Sequence, residues 1–110
     1  MTNSVPKQYD NVSVVPKANV YFDGKVISHT VFFPDGSKRT LGTIFHGSYK
    51  FDTGAPERME IIAGACRVKI AEAGKWETYE AGTHFDVPGH SYFEITVAEG
   101  VTEYVCSFLA

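Results

Sequence analysis

The chain has little cysteine, little tryptophan and no excess of positive charge. Among its 110 residues are two cysteines, two methionines and one tryptophan, and ten Lys and Arg stand against thirteen Asp and Glu, a net charge of −3 with histidine neutral. Cys66 and Cys106 both lie in apolar runs; two thiols cannot build the disulfide framework of a small secreted domain, and they read as buried free thiols. The charge balance supplies no general field for phosphate backbones or anionic lipid. That excludes nonspecific nucleic-acid and membrane-surface binding, while a local pocket for one small anion is still allowed. No run approaches the ~18 apolar residues of a membrane span, and MTNSVPKQYDNVSVVPKAN at the N-terminus has no apolar targeting core. Cytoplasmic residence is the expectation.

What is present favours strands. The chain is 44% hydrophobic and 14% aromatic, and its length suits one hydrophobic core. Residues 1–17 are polar, hold Pro6 and Pro16 and keep no period, so they read as a flexible or loosely docked arm. From residue 18 the text changes to short runs, KVISHTVFF, RTLGTIF, MEIIAG, ACRVKI, WETYE, YFEITV and EYVCSF, separated by FDGK, PDGS, DTGAP, EAGK, EAG, PGHS and AEG. Short strands between Gly, Pro and Asp turns indicate an all-β sandwich or barrel with about nine or ten strands and no long helix. Alternation then assigns faces. Phe93, Ile95 and Val97 share the inward face of one strand, Cys66, Val68 and Ile70 that of another, and Tyr49, Phe51 and Thr53 form a candidate lining row.

Two spaced patterns add to this. Glu57, six residues and Gly64 match the second half of the first cupin motif, and Gly82, five residues and Pro88 match the first half of the second. Together they resemble a cupin, a double-stranded β-helix or jelly-roll barrel. On that frame the usual histidine positions fall on Phe51, Thr53 and Phe93, and the carboxylate falls on Glu57. A transition metal needs three or more imidazole or carboxylate ligands, and phenylalanine has no donor atom. His29, His46, His84 and His90 do not restore the set. No metal is expected.

A closer resemblance covers residues 18–110. YFDGKV, GSYKFDTGAPERMEIIAG, WETYEAG and FDVPGHSYF look like the pyrimidine/purine nucleoside phosphorylase family of small metal-independent cupin-like proteins. The resemblance implies a homodimer that cleaves the N-glycosidic bond of purine and pyrimidine nucleosides with inorganic phosphate, giving free base and pentose 1-phosphate, with no cofactor beyond the phosphate co-substrate. Such chemistry asks for a bound phosphate, a departing base and a site that tolerates positive charge on the sugar. Tyr49, Phe51 and Phe93 would offer stacking surface to many bases. Glu57 would hold sugar hydroxyls or stabilise the oxocarbenium-like sugar; the plainer alternative is an exposed residue paired with Arg58. His90 could bond phosphate or the leaving base, or simply occupy the turn after Pro88. Arg39 and Lys25 are the phosphate candidates, each with a surface charge as its alternative. Thr53 and Ser91 could donate hydroxyls to substrate. Trp76 and Tyr79 read as structural, and Gly42, Gly47, Gly64, Gly82 and Gly89 as turn, bulge or close-approach positions. Two rival functions are a non-catalytic nucleoside or sugar sensor and a metal-dependent cupin enzyme.

Overall fold

Nine strands order themselves around the last of them. The computed structural model describes residues 5–72 and 74–109. The strands are β1 (Ser13–Val14), β2 (Asn19–Tyr21), β3 (Val26–Phe32), β4 (Lys38–Asp52), β5 (Glu57–Ala63), β6 (Ala65–Ile70), β7 (Glu77–Glu80), β8 (His84–Val87) and β9 (Tyr92–Phe108), with one 3-10 turn at Phe22–Gly24. Antiparallel to β9, β4 runs along one side from Arg39 opposite Ser107 to Asp52 opposite Tyr92, with a bulge between Phe45 and Gly47. On the other side β5 covers the C-terminal half of β9 and β6 its N-terminal half. β3 extends the sheet beyond β4, β8 beyond β5 and β7 beyond β6. The result is one nine-stranded sheet folded about the β4/β9 ribbon, a cupin-like jelly roll whose hydrogen-bonded path, β1-β3-β4-β9-β5-β8, does not return on itself among the described residues.

The step from β5 to β6 turns on Gly64. Its φ of +77° suits glycine, and a Cβ there would meet the Val101 carbonyl. Beside it the buried Thr102 hydroxyl donates to the Ala65 carbonyl at 2.7 Å, fastening the corner. Both halves of the folded sheet then feed one core. Val26, Ile44, Met59, Ile61 and Tyr104 from the first meet Cys66, Val68, Phe93, Ile95 and Val97 from the second. The alternating burial of Phe93, Ile95 and Val97 follows from the two-residue strand period, as does that of Cys66 and Val68 in β6. Cys66 and Cys106 are free and buried.

The residues before β2 lie against the outer side of β3 and β4. Ser13 and Val14 pair with Phe32 and Val31, and the Val15 amide donates to the Thr30 carbonyl at 2.9 Å. The Tyr9 ring meets Phe33 edge-on at 5.1 Å, and its hydroxyl accepts from Arg39 Nη1 at 3.0 Å. Residues 1–4 of the expected arm lie outside the described residues. No helix among the described residues is long and apolar enough to cross a membrane.

Candidate functional site

Between β2, β3, β4, β5 and β9 the core opens into a cavity of about 230 Å³. One wall is aromatic. Phe51 and Phe93 face each other across the β4/β9 ladder and stack with centroids 5.4 Å apart at 22°. Tyr21 meets Phe51 edge-on at 6.1 Å, and Phe85 supports Phe93 from the core at 5.5 Å. Phe93 is buried, so the half-buried Phe51 is the ring of this pair that offers π surface to a flat ligand.

The opposite wall is polar and comes from four strands: Ser28 on β3, Thr40 on β4, Glu57 on β5, and Tyr104 and Cys106 on β9. Cross-strand register brings them together. Thr40 pairs with Cys106 and Gly42 with Tyr104, while Met59 pairs with Cys106 from the other side. Gly42 is needed here for space, because a Cβ would overlap the Tyr104 ring. The Asn19 amide donates to Ser28 Oγ and to Thr30 Oγ1, both at 3.2 Å. Ser28 in turn stands against the Tyr104 phenol. No buried side-chain nitrogen or oxygen among the described residues lacks a partner.

Glu57 is the carboxylate of this wall, half-buried and lining the cavity. Burial raises its pKa above the ordinary glutamate value, and a hydrogen bond from the Cys106 thiol, 3.5 Å from Oε1, partly offsets that. Burial also pushes the Cys106 thiol and the Tyr104 phenol well up, so both keep their protons. Arg58 is not the partner of Glu57. As the next residue of the strand it points outward, where it pairs with Asp86 at 2.8 Å. A carboxylate, stacked rings and hydroxyls thus line one cavity, suited to a ligand with a flat apolar part and a polyhydroxyl part.

Of the residues singled out from sequence, Glu57, Phe51 and Phe93 line this cavity and the others do not. Tyr49 points inward but closes the core, its hydroxyl donating to the carbonyls of Phe45 at 2.9 Å and His46 at 3.0 Å. The buried Thr53 hydroxyl donates to the Pro88 carbonyl at 2.7 Å and accepts from the Ser91 amide at 3.0 Å. It locks the end of β4 to the loop before β9. His90 is exposed in that loop at φ +52°, its amide bonded to the Gly54 carbonyl at 3.0 Å. Arg39 lies on the outer face because Thr40, its neighbour, takes the inner one; its guanidinium sits over Phe33 at 4.7 Å and Tyr9 at 5.5 Å. Lys25 is exposed, and its backbone carbonyl accepts from the Phe45 amide. Among the described residues no group of three or more His, Cys, Asp or Glu side chains is placed to hold a metal ion.

Sequence reasoning passed over Ser28, Thr40, Tyr104 and Cys106. A signal existed in the two-residue period of EYVCSF and RTLGTIF, which sets Tyr104 with Cys106 and Thr40 with Gly42.

With this geometry in place, comparison with known proteins is informative. The family model for pyrimidine/purine nucleoside phosphorylase matches residues 16–108. A curated relative from Cupriavidus necator bearing that name is 60% identical over 101 residues, 92% of this chain and 95% of its own. That match includes part of the segment before residue 18. A crystal structure of a protein from Acinetobacter sp. ADP1 superposes with a TM-score of 0.89 at 52% identity, covering 93% of this chain and 98% of the other. The Fe(II) form of HppE shares the fold alone, with a TM-score of 0.69 at 12% identity over 96% of this chain and 60% of that one. A family model matching residues 16–108 and a relative 60% identical over nearly the whole of both chains make this chain a member of the pyrimidine/purine nucleoside phosphorylase family.

Proposed function

We propose that the chain is a broad-specificity nucleoside phosphorylase whose reaction takes place in the Glu57 cavity. A phosphate oxygen forms the new bond to C1′ of the sugar, the C1′–N bond breaks, and the base leaves with the electron pair and takes up a proton. Free base and pentose 1-phosphate result. The observation that carries the reading is a half-buried carboxylate, Glu57, lining one cavity with the stacked Phe51 and Phe93. In it the base lies against the rings, a contact that tolerates any base because each has a π face. The sugar turns toward Glu57, Tyr104, Ser28 and Thr40. As the glycosidic bond lengthens, positive charge grows on the ring, and a fixed carboxylate in a partly dry site stabilises it more than water does. The Cys106 hydrogen bond keeps Glu57 in position without competing for its charge.

The same reading holds that no metal or other cofactor takes part, which the phenylalanines at two of the expected ligand positions support. It also holds that the protein acts as a cytoplasmic homodimer. The test is release of free base from uridine, adenosine and guanosine by wild type and by Glu57→Ala in phosphate buffer. Release by wild type that falls at least about 100-fold in the variant is expected, the size of effect that loss of one electrostatic contact to the transition state produces. Equal release by both would overturn it.

A further inference from the structure

Glu57 and Asp52 are the acidic residues along the cavity described above, and no cationic side chain lines it among the described residues. A phosphate dianion approaching a carbon held against Glu57 is repelled unless a cation stands near its path. Most cations with a defined contact are turned away from that path. Arg39 is held by Tyr9 and Phe33, Arg58 by Asp86, Lys50 lies over Tyr92 and Arg67 over Trp76.

Lys38 differs. It opens β4 two residues before Thr40, on the strand face that carries Thr40 and Ile44 into the cavity. Its position is fixed by the preceding turn, in which the Phe33 amide donates to the Ser37 carbonyl and the Gly36 amide to the Phe33 carbonyl, both at 2.9 Å, and Asp35 accepts from the Ser37 amide at 2.9 Å. Arg39 and Ser107 form the last pair of the β4/β9 ladder. One step further, Lys38 Nζ lies 5.1 Å from the ring centroid of Phe108, a residue that lines the cavity. On its other side Phe108 pairs with Glu57. Phe108 thus has Lys38 at its ring and Glu57 as its neighbour across the β5/β9 ladder. The contact of Lys38 with that ring is exposed and weak, so an oxyanion can take the ammonium from it.

We propose that Lys38 is the phosphate-binding cation of this site, holding inorganic phosphate at the mouth beside Phe108 while the nucleoside occupies the cavity behind. The assignment rests on the phosphorylase reading. Its test is steady-state kinetics of wild type, Lys38→Gln and Lys38→Arg with phosphate and nucleoside varied separately. Lys38 is exposed, so neither variant disturbs the core. For Lys38→Gln the phosphate KM rises by about tenfold or more while the nucleoside KM stays within about twofold, and Lys38→Arg recovers most of the loss, as expected of one charge-assisted contact to an anion. An unchanged phosphate KM in an otherwise active Lys38→Gln overturns the assignment alone. So does a parallel rise in both KM values, which marks a structural role. If wild type releases base without phosphate, the phosphorylase reading itself falls and takes the assignment with it.

Discussion

Gly42→Ala is the smallest change that tests how the cavity is built. The added Cβ would lie within 2.5 Å of Tyr104 Cε2 and Oη, where real Cβ atoms essentially never come closer than 3.0 Å to a neighbour. Gly42 has an ordinary negative φ, so the effect is one of space and not of backbone strain. Tyr104 is 7% exposed and packed into the core; it cannot retreat outward, and the empty volume beside it is the cavity. Overpacking a well-filled core costs roughly 1–3 kcal/mol. At about 4–8 °C per kcal/mol for a domain near this size, the melting temperature falls by about 10 °C. The displaced ring takes up space where the sugar should lie, so the nucleoside KM rises about tenfold or more. Replacing Tyr104 by leucine in the Gly42→Ala background removes the overlap and restores most of the stability, a coupling that two independent sites would not show. Thermal melts and nucleoside KM for the two single variants and the double variant make the assay. A Gly42→Ala protein with wild-type melting temperature and KM would refute the reasoning.

Other expectations follow from the same geometry. Because burial holds the folded-state pKa of Glu57 above its ordinary 4.5, folding favours its protonated form, and the stability it contributes is lost as pH rises from 4.5 through the folded value. Glu57→Gln is therefore inactive yet melts higher than wild type at neutral pH, with the gain vanishing below pH 4.5; a variant that melts lower at neutral pH would contradict this. Arg39→Ala loses the Tyr9 and Phe33 contacts and destabilises by about 1 kcal/mol. Its phosphate KM is unchanged, and a specific rise would return Arg39 to the site. With the Cys66 thiol pushed up to about 11 by burial and Cys106 raised further, neither is a thiolate at neutral pH. A thiol reagent labels Cys66, packed in the core, only in denaturant, and rapid labelling of Cys66 in the native protein would show the core to be open.

The two-residue period made the faces legible where a strand carries clear contrast. Tyr49, Phe51 and Thr53 all turn inward with Lys50 and Asp52 exposed between them, and Phe93, Ile95 and Val97 do the same on β9. Alternation says which face a residue takes, however, and not what lies across from it. The polar wall depends on register between β3, β4, β9 and β5, which bring Ser28, Thr40, Cys106 and Glu57 together from up to 78 positions apart in the chain, and no local pattern encodes that. Arg39 was ambiguous for another reason: in RTLGTIF both faces carry apolar residues, Leu41 on one and Ile44 on the other. Tyr49 and Thr53 look like site residues in sequence because their hydroxyls are free to be imagined on a ligand. In the fold backbone carbonyls claim both. The close approach at Gly42 was foreseeable as a glycine property, but its partner, Tyr104, was not.

The proposed reaction is metal-independent phosphorolysis in the cavity lined by Glu57, Phe51 and Phe93. The most direct measurement is phosphorus NMR of the purified protein with uridine and inorganic phosphate in excess chelator. A pentose 1-phosphate signal that grows in step with free uracil, and is absent with Glu57→Gln, is the expected result. Uracil without the sugar phosphate, or a signal that chelator abolishes and added metal restores, would contradict it.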